Sequence, residues 1–300
     1  MPTTAHRRSR GRSRGSGERP NLSAAPEPRT PVSPTRYKVT GPRVLRSEWA
    51  KFWSLRSSWI TLGVAVFLLV LFGAISSYTY SPDAVGTGGP PGPGSGSGDS
   101  DAVSLALTGV SFAQLAVGVL GVLLAAGEYS TGMIRATLAA VPRRLPVLWS
   151  KAAVIGPIAL VLTTLGALAA FQLGVPGLDG EKIALSLGDD GVLRSLAGAG
   201  LYLGLVAVFG VALGVLLRSS AGAIAALAGI LLILPGLASL LPDSWYDTLS
   251  PYFPSNAGSA VYALHQSSDA LSPGTGLAVF AGWVALALAG AAYRLVKTDA

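Results

Sequence analysis

Charged residues are scarce in this sequence, and cysteine is absent. Asp, Glu, Lys and Arg make up 12% of the 300 residues, whereas a soluble globular domain carries about 25%. A chain this poor in charge cannot easily cover a water-facing surface, but a lipid-facing surface needs no such cover. The absence of cysteine excludes disulfides, a thiolate metal site and a cysteine nucleophile.

Residues that would support catalysis are also few. The two histidines, His6 and His265, fall on opposite sides of the membrane in the topology derived below, so they cannot share a metal site or a Ser-His hydrolase site. An ATPase needs a glycine-rich loop that ends in Lys-Ser or Lys-Thr. Only Lys297 is followed by Thr, and no glycine precedes it at the required positions. We therefore expect no enzymatic activity, no cofactor and no metal in this chain.

What the sequence does contain is a set of six apolar runs without Lys, Arg, Asp or Glu. A helix needs about 20 apolar residues to cross the hydrocarbon core of a bilayer. In lipid the backbone must satisfy its own hydrogen bonds, so these runs are predicted to be helices. The runs are Ile60–Tyr80, Val103–Gly127, Ala152–Leu178, Ser195–Leu217, Ser219–Pro242 and Leu271–Tyr293. The sequence thus predicts an all-α membrane protein with six transmembrane helices; the alternative, a soluble core of six buried helices, is disfavoured by their number and length.

The positions of Lys and Arg predict the orientation of these helices. If the N-terminus is cytoplasmic, only Lys182 and Arg194 of the 22 Lys and Arg residues lie in external segments. Cytoplasmic loops carry an excess of Lys and Arg. We therefore expect a multi-pass chain with both termini in the cytoplasm.

The chain is predicted to divide at about residue 42. Residues 1–42 are rich in Arg, Ser and Pro, a composition typical of a disordered basic tail, and residues 43–300 form the six-span domain. The tail either reinforces the topology or is attracted to anionic lipid. Nucleic-acid binding is not expected, because no folded module accompanies the charges.

Residues 43–59 are predicted to form a basic amphipathic helix. At 100° per residue, one broad face carries apolar side chains, namely Val44, Leu45, Trp49, Phe52, Trp53 and Leu55. Arg46 lies on the opposite face, while Glu48 and Arg56 interrupt the apolar one. A basic helix with several Trp beside a span is typical of the membrane interface. The alternative is an N-terminal extension of the first span.

Two later runs contain glycine or proline in informative positions. Gly200 and Gly204, and likewise Gly210 and Gly214, have the small-xxx-small spacing that lets helices pack closely, within one chain by default or between two chains. The fifth run is predicted to break at Pro235-Gly236. An aromatic segment follows it, with Trp245, Tyr246, Tyr252, Phe253 and Pro254. A broken helix followed by such a segment predicts an external re-entrant element between spans five and six.

Polar side chains within the runs are neutral. They are Ser111, Gln114, Thr163, Thr164 and Gln172. We expect each to hydrogen-bond a neighbouring helix. Ion-coupled transporters usually bury ionisable groups at membrane depth, so the chain has no evident means of energising transport by itself.

One sizeable loop between spans is predicted on the cytoplasmic side, over residues 128–151. Thr131–Ala140 favours a short helix, and Pro142 ends it. The composition leaves two interpretations open. The helix is either a lever that another protein pushes, or part of a charged loop that only fixes topology.

The loop begins with a motif whose fixed positions are Glu128, Tyr129, Gly132, Arg135, Leu138, Pro142 and Arg143. This motif resembles the signature of permease subunits of type-2 ATP-binding-cassette exporters. The Arg-Ser-Glu-Trp-x-Lys element, with Arg46, Glu48, Trp49 and Lys51, resembles the N-terminal interface helix of that family. The segment Pro254–Gly258 resembles its bacterial members.

The resemblance implies a half-transporter of the bacterial plasma membrane that pairs with a second permease chain and with separate ATPase subunits. The short helix after Glu128 would sit in a groove of the ATPase, with Arg135 and Arg143 meeting acidic groups there. Gly132 would allow close approach, and Glu128 would cap a helix or form a salt bridge at the membrane boundary. Glu128→Ala and Arg135→Glu are then expected to uncouple ATP hydrolysis from transport.

Two other functions remain open at this stage. A secondary transporter would depend on ion gradients alone, and the lack of buried ionisable groups argues against it. A non-transporting membrane partner, such as an immunity or sensor subunit of the same fold, would act even when its partner ATPase is catalytically dead.

Overall fold

The computed structural model describes residues 41–81, 101–134, 137, 144–240, 242–266 and 270–297, and every regular element in these ranges is helical. We number the helices in chain order. They are α1 Gly41–Ser54, α2 Arg56–Tyr78, α3 Ala102–Ala106, α4 Val110–Ser130, α5 Leu145–Gly174, α6 Val192–Leu217, α7 Ser220–Ala238, α8 Asp243–Leu249, α9 Pro254–Tyr262 and α10 Pro273–Lys297. A 3₁₀ turn, Val175–Leu178, prolongs α5.

Six of these helices are long and apolar enough to cross a membrane: α2, α4, α5, α6, α7 and α10. Each of them overlaps one of the six apolar runs of the sequence. The prediction of an all-helical protein with six candidate spans is therefore confirmed, and the helices support a multi-pass membrane protein.

Helix α6 lies at the centre of the bundle, where it packs against α4, α5, α9 and α10. Its glycines make this possible. A Cβ atom at Gly210 would collide with the carbonyl oxygen of Gly118 in α4, and one at Gly204 would lie 3.0 Å from the carbonyl oxygen of Gly156 in α5. Gly200 and Gly214 approach α5 and α4 in the same way. The small-residue spacings therefore serve packing within the chain, which confirms the default interpretation.

The second apolar run is not one continuous helix. The structure divides it into α3 and α4, with a turn between Ala106 and Val110. Gly109 in this turn touches the backbone of α2, since a Cβ atom there would lie 2.6 Å from Leu69 Cα. Asp101 caps α3: its Oδ1 accepts from the Ser104 N–H at 2.7 Å, and its own N–H donates to Ser104 Oγ at 3.1 Å.

The predicted break at Pro235-Gly236 was wrong. Helix α7 continues through Pro235 to Ala238, and the five residues Gly229–Ile233 form a π-helical turn within it. Proline lacks an N–H, and its ring clashes with the carbonyl four residues earlier in a regular α-helix. The π-helical turn changes the pairing just ahead of Pro235 and accommodates the proline without ending the helix.

The aromatic segment after α7 is helical rather than a loop. It comprises α8, a 3₁₀ turn over Ser250–Tyr252, and α9. Helix α9 packs against α6 and α10, and the Tyr202 ring of α6 lies so close to Gly258 that any side chain there would collide with it. The Trp283 Nε1–H of α10 donates to the Tyr252 carbonyl at 3.1 Å. The segment is therefore fastened to the bundle.

Helices α1 and α2 are separate elements. Leu55 between them has an extended backbone, with φ −86° and ψ 101°. Helix α1 packs chiefly against α5. The alternative interpretation, in which residues 43–59 extend the first span as one continuous helix, is therefore wrong.

Candidate functional site

Several helix termini meet at one end of the bundle, which we call the basic end. Arg144 Nη1 donates to the Leu295 carbonyl of α10 at 3.1 Å, and Arg218 Nη2 donates to the Arg294 carbonyl at 3.4 Å. Arg294 Nη1 donates to the Leu216 carbonyl at the end of α6. Arginine is favourable here because the last carbonyls of a helix lack partners and carry partial negative charge. These arginines therefore tie helix ends together.

Four charged side chains form an ionic cluster at the basic end: Glu48 and Lys51 of α1, Glu128 of α4 and Lys151 of α5. Lys151 Nζ lies 2.8 Å from Glu48 Oε2 and 2.7 Å from Glu128 Oε1. Lys51 Nζ lies 2.8 Å from Glu48 Oε1 and 3.0 Å from Glu128 Oε1. Two carboxylates thus face two ammonium groups, and the cluster is electrically balanced.

Lys151 is the buried centre of this cluster. Its side chain is 6% exposed, and it donates a third hydrogen bond to the Leu124 carbonyl of α4 at 3.2 Å. An ammonium group has three donors and no acceptor, so all three N–H groups of Lys151 are satisfied. A buried charge is tolerated only under such conditions. Lys151 therefore joins α1, α4 and α5 at a single point.

The sequence of α1 delivers Glu48 to this position. Val44, Glu48 and Phe52 recur every four residues and are the buried residues of α1. Residues four apart lie on one face of a helix, so a carboxylate is carried into the protein between two apolar contacts. From the sequence alone, Glu48 was expected to interrupt the apolar face of α1. In the structure its carboxylate is buried because it pairs with Lys151 of α5.

Burial and ion pairing act in opposite directions on the two residues of α1. Burial raises the pKa of Glu48, but Lys151 and Lys51 more than offset this and hold the pKa below its ordinary value of 4.5. Burial lowers the pKa of Lys51, yet hydrogen bonds and attraction from Glu48 and Glu128 raise it above the ordinary 10.5. Both groups are therefore charged at neutral pH.

A cavity of about 390 Å³ adjoins the ionic cluster. Its walls come from the junction of α1 and α2, the last turns of α4 and the first turns of α5. They are mostly apolar, with Phe52, Leu120, Leu124, Val154 and Ile155 among the lining side chains. The charged groups of the cluster line the same cavity, so it has an apolar body and a polar side.

The other predicted residues of the interface helix lie on its exposed surface. Arg46 is exposed, and the Trp49 indole is about half exposed, at 48%. Its ring centroid lies 6.0 Å from that of Trp53, which is also exposed. The four residues of the predicted interface element therefore divide by role: Glu48 and Lys51 join the cluster, while Arg46 and Trp49 face outward.

Only the start of the predicted coupling segment lies within the described residues. Gly132 has φ +72° directly after α4, and no atom of the described residues lies within 4 Å of the position a Cβ would take. A glycine suits this position because the left-handed conformation ends the helix. Met133, Ile134 and Thr137 are helical. Arg135, Leu138, Pro142 and Arg143 lie outside the described residues.

Hydrogen bonding of the neutral polar residues in the spans was predicted too broadly. Gln114 accepts from the buried Tyr202 hydroxyl of α6, as expected for a neighbouring helix. Thr163 instead donates to the Ala159 carbonyl of its own helix at 2.7 Å. The hydroxyls of Ser111 and Thr164 are buried with no partner among the described residues, and Gln172 is exposed.

Lys151 is the functional residue that sequence reasoning missed. A lysine at the start of an apolar run was counted only as a mark of the cytoplasmic side. The available signal was the pair of acidic residues, Glu48 and Glu128, placed next to apolar segments where unpaired carboxylates are costly. Together they required a buried cation nearby.

The cluster binds helices to one another and shows no catalytic arrangement. Each carboxylate is paired with an ammonium group. Within the part of the chain that the structure describes, no group of three or more His, Asp or Glu residues could hold a metal ion. No protein-family model matches the chain, and no curated protein matches it.

Proposed function

We propose that this chain is the membrane-spanning permease subunit of an ATP-binding-cassette exporter, driven by a separate ATPase subunit. The observation that supports this most directly is the location of the ionic cluster. Glu128 opens the motif that resembles the family signature, and it is joined to Lys51 of α1 and Lys151 of α5. The segment from Glu128 to Lys151 is thus anchored at both ends.

In this proposal the basic end faces the cytoplasm, because its Lys and Arg residues match the charge of cytoplasmic loops. The ATPase contacts the short helix after Glu128, through Arg135 and Arg143. Motion of that helix reaches α1, α4 and α5 together, since one buried lysine holds all three. Helix α1 lies along the inner leaflet with Trp49 and Trp53 toward lipid.

The opposite end of the bundle would then face outward. Helices α8 and α9 form the external re-entrant segment, and substrate crosses between two permease chains beneath it. The six candidate spans contain no Asp, Glu, Lys, Arg or His away from the ends of the bundle. This supports an external source of energy and argues against an ion-coupled transporter.

A non-transporting subunit of the same fold is the second candidate. The burial of α6, α9 and the Gln114–Tyr202 pair favours a rigid bundle, which is compatible with a sensor or immunity partner. Resistance or signalling that persists when the partner ATPase is catalytically dead would favour this candidate.

Affinity purification of the tagged chain from its own membranes tests the proposal. We expect a stoichiometric ATPase to co-elute, and Arg135→Glu to release it. Lys182→Glu is the matched control, because Lys182 is exposed and lies on the loop between α5 and α6, away from the basic end. Glu128→Ala is less informative, since it also removes a carboxylate that holds Lys151.

Elution of the chain alone, as a stable homo-oligomer, would contradict the proposal. Equal retention of the ATPase by Arg135→Glu and Lys182→Glu would place the contact elsewhere and reject the assigned coupling segment.

A further inference from the structure

The cavity beside the ionic cluster is large enough for a ligand. Its volume of about 390 Å³ falls within the ~300–1,000 Å³ typical of small-molecule sites. Helix packing elsewhere in the bundle is close, as the glycine contacts of α6 show. We therefore expect the cavity beside the ionic cluster to hold a ligand.

The polar side of the cavity is rich in acceptors. Glu128 Oε2 is buried, and no donor from the described part of the chain reaches it. Ser54 Oγ donates its proton to the Lys51 carbonyl, and Thr61 Oγ1 donates to the Ser57 carbonyl, both at 2.9 Å. A hydroxyl has one proton and two lone pairs, so these oxygens can still accept. The missing partner is therefore a hydrogen-bond donor.

One cation of the cluster is accessible from the same cavity. The Lys51 side chain is 33% exposed, whereas that of Lys151 is 6% exposed. Because the cluster is balanced in charge, an occupant with net charge would leave it unbalanced. A head group that carries both a cationic donor and an anion matches Glu128 Oε2 and Lys51 together.

The mouth of the cavity lies at the level expected for lipid head groups. Leu55, Leu123 and Met133 line the cavity and are 45%, 43% and 52% exposed. The exposed rings of Trp49 and Trp53 lie on the adjoining helix α1, and Trp is enriched at the boundary between lipid and water. An amphiphile can therefore enter from the bilayer with its acyl chain against the apolar wall.

We propose that this cavity binds one membrane phospholipid whose head group carries a primary ammonium. On binding, the Glu128 carboxylate turns its Oε2 toward the cavity and accepts from the ammonium N–H groups. The phosphate lies toward Lys51, and an acyl chain packs against the wall formed by Leu120, Leu123 and Leu124. The site belongs to the single chain and does not depend on the proposed export function.

The test compares two lipids that differ only in the three N-methyl groups of the head group. The purified full-length chain in detergent is titrated with phosphatidylethanolamine or with phosphatidylcholine of the same acyl chains, and bound lipid is counted by native mass spectrometry. Phosphatidylcholine has a trimethylated head group without N–H donors. We expect one phosphatidylethanolamine per chain, retained about tenfold more tightly than phosphatidylcholine, because a hydrogen bond to a buried carboxylate is lost with the latter.

A pair of tryptophan substitutions locates the site. Leu123→Trp places a bulky ring at the mouth of the cavity, whereas Leu165→Trp places one on an exposed position of α5 outside it. Both positions are exposed, so both variants should fold. We expect Leu123→Trp to lower phosphatidylethanolamine binding about tenfold and Leu165→Trp to leave it unchanged. Equal binding of the two lipids, no stoichiometric lipid, or equal behaviour of the two variants would overturn the proposal.

Discussion

Lys151 Nζ of α5 lies 2.8 Å from Glu48 Oε2 of α1, across 103 residues of sequence. Both side chains are buried, with 6% of Lys151 and 7% of Glu48 exposed. It joins a helix that precedes the first span to the start of the third. The contact explains why α1 packs on α5 rather than extending α2.

Removal of the central cation should strongly destabilise the protein. Lys151→Met keeps most of the side-chain volume but leaves Glu48 and Glu128 to share Lys51. Breaking a buried ion pair by removing one partner costs about 3–5 kcal/mol, and we expect a loss of that size in the free energy of unfolding, measured by denaturant titration in mixed micelles. Lys182→Met is the control, and at this exposed position we expect a change within about 0.5 kcal/mol.

The same variant offers a test of coupling. Adding Glu48→Gln to Lys151→Met restores the charge balance, so the double variant should be more stable than the two single losses predict. An interaction energy of about 0.5–3 kcal/mol is typical of residues in contact. Additive losses would show that the two side chains do not interact in the folded protein.

Stability should be flat over a broad pH range and fall on both sides of it. The Glu48 pKa is lowered by its lysine partners, so its contribution is fully present above the ordinary 4.5 and is lost as pH falls through the folded pKa. The Lys51 pKa is raised, so its contribution is fully present below the ordinary 10.5 and is lost as pH rises through the folded pKa. Melting temperatures across this range check both limits.

Two substitutions distinguish the acid loss of stability from the alkaline loss. Glu48→Gln should reduce the loss of melting temperature in acid, and Lys51→Met should reduce the loss in alkali, because each removes the group that titrates. Unchanged acid and alkaline limbs in both variants would assign the pH dependence to other groups.

Close packing of α6 should make Gly210 intolerant of a methyl group. A Cβ atom there collides with the Gly118 backbone of α4, and overpacking of this kind costs about 1–3 kcal/mol. Gly282→Ala in α10 is the matched control, because no atom in the described part of the chain lies within 4 Å of its Cβ position. We expect Gly210→Ala to lower the melting temperature and Gly282→Ala to maintain or raise it; the reverse order would contradict the packing of α6.

The Tyr202 hydroxyl should contribute measurably to stability. It donates to Gln114 Oε1 between α6 and α4, and both residues are buried. Tyr202→Phe leaves the Gln114 oxygen without a donor, at a cost of about 1–3 kcal/mol. Tyr293→Phe at a 62% exposed position is the control. Equal melting temperatures of the two variants would show that the buried hydrogen bond contributes nothing.

Six long apolar helices were predictable from the sequence alone, because the absence of charge over about 20 residues is a local property that membrane insertion requires. The packing role of the α6 glycines was also predictable, because the small-xxx-small spacing is likewise a local property of the sequence. The end of α4 was less so, because the positive φ with which Gly132 ends the helix was not predicted. The close approach to an ATPase that the resemblance implies for Gly132 stays a prediction.

The tertiary structure decided which charges meet. Glu48, Lys51, Glu128 and Lys151 are distributed over three helices, and no spacing in the sequence relates the first helix to the third. Likewise, Pro235 is a local signal for a break, yet the helix continues because a π-helical turn precedes the proline. Hydropathy along the chain determines where helices form, whereas the pairing of buried charges depends on how those helices pack.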